Sequence, residues 1–320
     1  MLLEAVEQTA VLCGRVLPVM FISLFGFEVL MQLGAAKKIE PLGKPLAKAA
    51  RLPPLTVVTF FASIGSLIAA NTMLAQFHQD GRIEGRELVL GAVFNTVPVH
   101  FKETLTYQLP VILPLLGMRL CLVYVAVFWL SGLLKLGYVI IAGRAAFDAR
   151  RESQDEVRAP EDSAPKGRRK IGVLLKNAWD ARAKLFGKMA VIIIGVTFAV
   201  QILMESGAIE FLDRLIGPIV DSVGFPSAIV APVSVYIFSP IVGVASMSAL
   251  LNNAAVTEYQ AIVALLAGGF LMVPVTRLRG TMPRYVSILG FKHGLQVLAI
   301  TTTLSLVSRA IVLAGILLFW

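Results

Sequence analysis

The sequence predicts an all-α polytopic membrane protein made of two inverted-topology repeats, and three observations carry that reading. The first is composition: the 320 residues are 57% hydrophobic and 15% charged, with a mean hydropathy of +0.79. Soluble domains hold roughly 45–50% apolar and about 25% charged residues. Runs such as Met118 to Ala142 and Met189 to Met204 approach or exceed the ~20 residues that cross a bilayer. The second is punctuation. Leu30/Leu203, Met31/Met204, Gly34/Gly207, Ala35/Ala208, Pro45/Pro218, Pro53/Pro226 and Gly117/Gly290 all match at one constant offset. The third is charge. Lys37, Lys38, Lys44, Lys48 and Arg51 make one amphipathic segment basic, whereas its counterpart carries Glu210, Asp213 and Asp221 against Arg214. Basic segments stay on the cytoplasmic side, so equivalent segments fall on opposite faces and the repeats are inverted.

Taken in order, Val11 to Leu33 is a first span, in which Pro18 is tolerable. Lys37 to Arg51 is an interfacial amphipathic helix interrupted by Pro41 and Pro45. Pro53-Pro54 opens an apolar stretch to Phe77 with Ser63-Ile64-Gly65-Ser66 at its middle. An inverted repeat crosses an odd number of times, so this stretch is expected to be a re-entrant hairpin. Its arms would be ~16 Å long, about half the hydrocarbon thickness. The equivalent hairpin, Pro226 to Leu251, would turn at Phe238-Ser239-Pro240. Leu88 to Leu116 is a broken helix, and Arg119 to Ala142 a final span. The first repeat thus covers residues 1–143 and the second 185–320. Between them, residues 144–184 carry eleven Lys/Arg against seven Asp/Glu and read as a solvated cytoplasmic linker. Glu4 and Glu7 replace the basic start of a cleavable signal peptide.

Within the broken helices, FNTVPVHFKET (Phe94 to Thr104) is echoed by FLMVPVTRLRG (Phe270 to Gly280), at a slightly longer offset than the rest. Each sets a Pro and charged groups inside apolar sequence. Proline removes one backbone donor and crowds the preceding turn, and freed backbone groups in hydrocarbon need a partner. Paired interruptions at matching places in two halves point to a transporter binding site. Ionisable groups at membrane depth, here Lys102, Glu103, Arg277 and Arg279, are costly and usually functional.

Other chemistries are disfavoured. The net charge of +9 lies in short loops and the linker, without the basic, aromatic-interleaved stripe of a nucleic-acid binder. Cys13 and Cys121 form neither a disulfide framework nor a metal site. His78, His100 and His293 are far apart, with no Cys or Met cluster to join them. Ser63 and Ser66 lack a neighbouring base and no phosphate loop occurs, so no enzyme is expected.

The order of span, interfacial helix, hairpin, broken helix and span, repeated upside down with this Gly and Pro punctuation, resembles the core of concentrative nucleoside transporters. More specifically, the sequence is similar to the nucleoside recognition, or Gate-domain, membrane proteins. That resemblance implies that two hairpin tips and two helix breaks meet near the membrane centre around a substrate. It implicates Ser63, Gly65 and Ser66 at the first tip, and Asn95, Thr96, His100, Lys102, Glu103 and Thr104 at the first break. From the second half it implicates Ser239, Thr276, Arg277, Arg279 and Thr281. The expectation is a secondary-transporter-like protein of the cell (plasma or inner) membrane, moving a small polar solute, anionic or nucleoside-like, by alternating access. Coupling to Na+ or H+ is expected, with Glu103 and His100 as candidate carriers, and no other cofactor. The bilayer, the solute and a homo-oligomeric mate are the expected partners. The alternatives are a non-transporting scaffold or regulator of the same fold, and a channel.

Overall fold

The structure is a computed structural model and describes residues 40–147, 171–205 and 226–320, with scattered positions between 3 and 29. The charge-inverting second amphipathic segment and most of the linker lie outside the described residues, as does most of the first span. Among the described residues every regular element is helical. Three helical stretches, Gly85–Ala146, Glu258–Leu289 and Phe291–Phe319, are long and apolar enough to cross a membrane. The chain is an all-α membrane protein.

Helix α1 (Glu40–Ala49) contains Pro45 without being interrupted by it. Helices α2 (Pro54–Gly65) and α3 (Leu67–Gln79) form a hairpin whose turn is Ser66, extended at φ −148° and ψ 114°. After a short loop come α4 (Gly85–Phe94) and α5 (Val97–Glu103), wide π-type turns over Thr104–Ile112, and α6 (Leu113–Ala146). Helix α7 is Ile171–Glu205. A second hairpin follows a 3-10 turn (Ser227–Ile229). Its arms are α8 (Val230–Phe238) and α9 (Pro240–Asn252), and Ser239 is extended between them at φ −141° and ψ 93°. Next are α10 (Glu258–Thr276), wide turns over Arg277–Thr281, α11 (Met282–Leu289) and α12 (Phe291–Phe319).

The backbone irregularities recur at the same offset as the Gly and Pro punctuation. Ser66 and Ser239 turn the hairpins. Gly81 and Ala254 have φ of 71° and 53°. Glu84 and Thr257 begin capping boxes, Thr104 and Arg277 begin the wide turns, and Gly117 and Gly290 share φ 79°. Pro98 and Pro274 do not belong to this register. Pro98 sits in the first turn of α5, where its missing N–H costs nothing, whereas Pro274 lies inside α10 near its end.

Gly117 and Gly290 are corners. Gly117 has ψ 175° and Gly290 ψ 162°, a region essentially reserved for glycine. Each lets a long helix double back within one residue. Gly294 closes the second corner, where an added methyl would meet the Tyr285 carbonyl at 2.7 Å. Gly117→Val should therefore cost about 1–3 kcal/mol, read as a lowered melting midpoint in detergent. An unchanged midpoint would contradict the assigned corner.

Contacts at the helix ends order the legs. On one side, the start of α4, the end of α6 and the start of α12 line one open cavity of about 600 Å³. His78 at the end of α3 meets the His293 ring at 5.5 Å, so these two histidines, expected to be far apart, are brought together by the fold. Helix α1 is pinned to the same side, because Arg51 donates to the Phe147 carbonyl (2.8 Å) and Arg144 to that of Ala49 (2.9 Å). On the other side Arg119 pairs with Glu258 at 3.5 Å and Tyr259 packs on Trp320. The leg 85–116 and the leg 258–289 consequently run in opposite directions. Both ends of the first hairpin lie on the Arg51 side. The second hairpin is tied to the Arg119 side by Ser248, which donates to the Leu115 carbonyl at 2.5 Å.

Two apolar cores result. One gathers Leu55, Phe60, Leu74, Leu88, Phe94, Val139, Leu289 and Val297; the other Val111, Leu115, Leu120, Val244, Met247, Ile262 and Leu265. Between them lies a polar layer.

Candidate functional site

The polar layer is built where the irregular helices face the hairpins. Asn95 follows α4 and is fully buried. Its amide donates to Asn71 Oδ1 at 3.2 Å, and its carbonyl oxygen accepts from Thr59 Oγ1 at 3.1 Å. One side chain at the break therefore ties both arms of the first hairpin together. Buried amides are retained where their hydrogen bonds are made. Further along the same leg, Lys102 Nζ donates to the Gly65 carbonyl at 2.7 Å. The tip exposes that carbonyl because Ser66 turns the chain out of the helix. Break and tip are joined.

His100 supplies the next contact. Its Nδ1 lies 2.7 Å from the Thr96 carbonyl, one turn back, and must donate to it. Nε2 then carries the lone pair and accepts from Lys135 Nζ at 3.1 Å. Lys135 is 1% exposed. Gly132 leaves the room for this pair, since the His100 ring lies 3.4 Å from where a side chain would begin. Across the layer, Arg277 donates to Thr301 Oγ1 (3.3 Å) and Arg309 to the Ser305 carbonyl (3.0 Å). Ser131 and Ser305 link α6 to α12 at 3.1 Å.

Lys135, Arg277 and Arg309 lie within electrostatic reach of one another, and Glu103 within reach of Lys102, Lys135 and Arg277. Glu103 is exposed although it sits among these groups. Along the helical stretches 85–116, 118–146, 258–289 and 291–319, His100, Lys135, Arg277 and Arg309 are each at least ~15 Å from the nearer end. A hydrocarbon core is ~30 Å thick. The cluster thus lies near the middle of stretches long enough to cross such a core.

The structure places the expected residues in three groups. Asn95, Thr96, His100, Lys102, Glu103, Arg277 and Gly65 come together as described. Ser63, Ser66, Thr104 and Thr276 spend their hydroxyls locally: Ser63 donates to the Phe60 carbonyl, Thr104 to that of His100 and Thr276 to that of Met272, while Ser66 caps α3. Ser239 and Thr281 are half-buried, Ser239 at the second tip. Arg279 is exposed, with no hydrogen bond or ion pair to the cluster among the described residues. The site also contains groups not anticipated, chiefly Lys135 and Arg309, with Thr59, Asn71, Ser131, Thr301 and Ser305. A signal for the two cations exists, because each is the lone charge at the middle of a long apolar run.

Among the described residues no group of three or more His, Cys, Asp or Glu side chains gathers as a metal site.

Similarity extends over nearly the whole chain. An uncharacterized protein of Methanocaldococcus jannaschii is 21% identical over 294 residues, 92% of this chain and 93% of its own length. A second from that organism is 18% identical over 317 residues, 99% and 97% of the two chains. A third is 22% identical over 298 residues, 92% and 91%. No family model and no solved structure matches. The chain thus has relatives over nearly its whole length, and the chemistry has to be argued from the cluster.

Proposed function

We propose that the chain is a secondary transporter that moves a small polar solute by alternating access about the mid-depth cluster. The observation that carries this reading is the Lys102–Gly65 contact. It joins a hairpin tip to a helix break beside buried, hydrogen-bonded charges, at a depth where ionisable groups are expensive. Irregular backbone at membrane depth is tolerated where it is buried in protein or lines a cavity. The antiparallel legs and the regularly recurring backbone irregularities support two inverted-topology repeats. The shared side of both ends of the first hairpin supports re-entrance. Arg51, Arg82, Arg86, Arg144 and Lys292 collect on the side of α1, which supports a cytoplasmic placement for it.

Topology and activity are tested separately. In a background lacking Cys13 and Cys121, Asp80→Cys should label with an impermeant reagent from the cytoplasmic side and Arg119→Cys from the other. Labelling of both from one side would overturn the leg order. In proteoliposomes, saturable uptake driven by an imposed H+ or Na+ gradient is the expected result. Absence of flux and of any solute-induced thermal shift would favour a scaffold. Flux that does not saturate would favour a channel.

A further inference from the structure

We infer that the cargo of this cluster is a small oxyanion bearing at least two negative charges, of the dicarboxylate or phosphate-monoester class. The inference takes from the preceding section only that the cluster is the cargo site.

The argument begins with charge. Lys135, Arg277 and Arg309 lie within electrostatic reach of one another, and the one carboxylate beside them, Glu103, is within reach of Lys135 and Arg277. His100 adds nothing, since its Nδ1–H is used on the Thr96 carbonyl and its Nε2 accepts from Lys135. Among these three cations and that carboxylate the excess is therefore two positive charges. Among the described residues no carboxylate lies within ion-pairing distance of Lys135, Arg277 or Arg309; the ion pair described above, Arg119–Glu258, is at the far end of the legs. An uncompensated cation removed from water costs several kcal/mol even after relaxation. A monoanion would leave one charge of the excess. A dianion balances it.

Hydrogen bonding points the same way. Lysine has three N–H donors and arginine five. Lys135 uses one on His100, Arg277 one on Thr301 and Arg309 one on the Ser305 carbonyl. The Tyr124 and Tyr236 hydroxyls, 3.3 Å apart, lie within electrostatic reach of Arg309. The cluster is thus rich in donors, with Glu103 as its charged acceptor. A ligand made of acceptors matches it. Two guanidinium groups add planar forks suited to carboxylate or phosphate oxygens, which chloride would not use.

The test uses the full chain in detergent at fixed ionic strength, with succinate, inorganic phosphate and glycerol 3-phosphate as dianions, and with acetate, chloride and uridine for comparison. Thermal stabilisation and calorimetric binding by at least one dianion, at least tenfold tighter than acetate, is expected. Lys135→Met and Arg277→Gln should each weaken it tenfold or more, and Arg279→Gln should leave it unchanged. Should Lys135→Met not fold, Arg277→Lys, which keeps charge and loses the fork, decides. Stabilisation by uridine without any by dianions, or dianion binding untouched by the cluster variants, would overturn the inference. Uptake separates it from the transport reading. Dianion binding without flux leaves the site and removes the transporter; saturable uridine flux without dianion binding does the reverse.

Discussion

Asn95→Leu is expected to lower the melting midpoint in detergent and to reduce solute uptake to background. The leucine fits the volume of the amide, so the effect is one of hydrogen bonding. Asn71 Oδ1 loses its donor, and Thr59 keeps only its own-helix acceptor, the Thr56 carbonyl at 3.0 Å. An unmade bond to a buried polar group costs about 1–3 kcal/mol, and both groups are essentially inaccessible. The double variant Asn71→Leu/Asn95→Leu should be less destabilised than the sum of its single variants, because removing both partners leaves no orphaned acceptor. Uptake should remain absent in the double variant, since the hairpin is then no longer registered on the break. Additive melting shifts would show that the two amides do not interact.

Gly243→Val should be more severe. A side chain at Gly243, in the second hairpin, would run into the backbone of Tyr236 in the opposing arm. Backbone cannot rotate away, so α8 and α9 would have to separate and carry the Tyr236 hydroxyl off Tyr124. Overpacking of this kind costs about 1–3 kcal/mol or more. Gly91→Ala provides the comparison. Its nearest neighbour is a Leu74 methyl at 3.0 Å, the far end of a flexible side chain. Gly91→Ala should be folded and active, whereas Gly243→Val should show a lowered midpoint and little uptake. Equal behaviour of the two would mean that the hairpin arms are looser than their packing implies.

Much of this architecture was legible because turns in an apolar sequence demand particular residues. Ser66 and Ser239 stand where the hairpins turn, and Gly65 and Pro240 beside them mark the place. Gly117 and Gly290 separate apolar runs in the sequence and are the corners in the structure. The Phe-Val-Pro-Val echo pointed to the right segments with the wrong register. Proline marks a break only where its missing donor would have been used, and in the first turn of α5 it would not. The cluster was half legible. Lys102, Glu103 and Arg277 were conspicuous beside the prolines. Lys135 and Arg309 sit in otherwise unbroken helices, where no turn signal draws attention, and only the fold brings them to His100 and Arg277. Thr59 and Asn71 look like ordinary helix residues until Asn95 is set between them.

The depth of the cluster bears on direction. A charge crossing the whole membrane works against about 2.3 kcal/mol per 100 mV, and a site at mid-depth divides that drop roughly in half between its two approaches. A dianion brought inward against a negative interior would thus meet about 4.6 kcal/mol per 100 mV in all. Entry would require two or more cations to travel with it, whereas exit would be driven by the resting voltage alone. Entry with two cations moves no net charge and entry with three moves one, whereas uncoupled exit moves two, so the charge moved per solute would say which way this protein works.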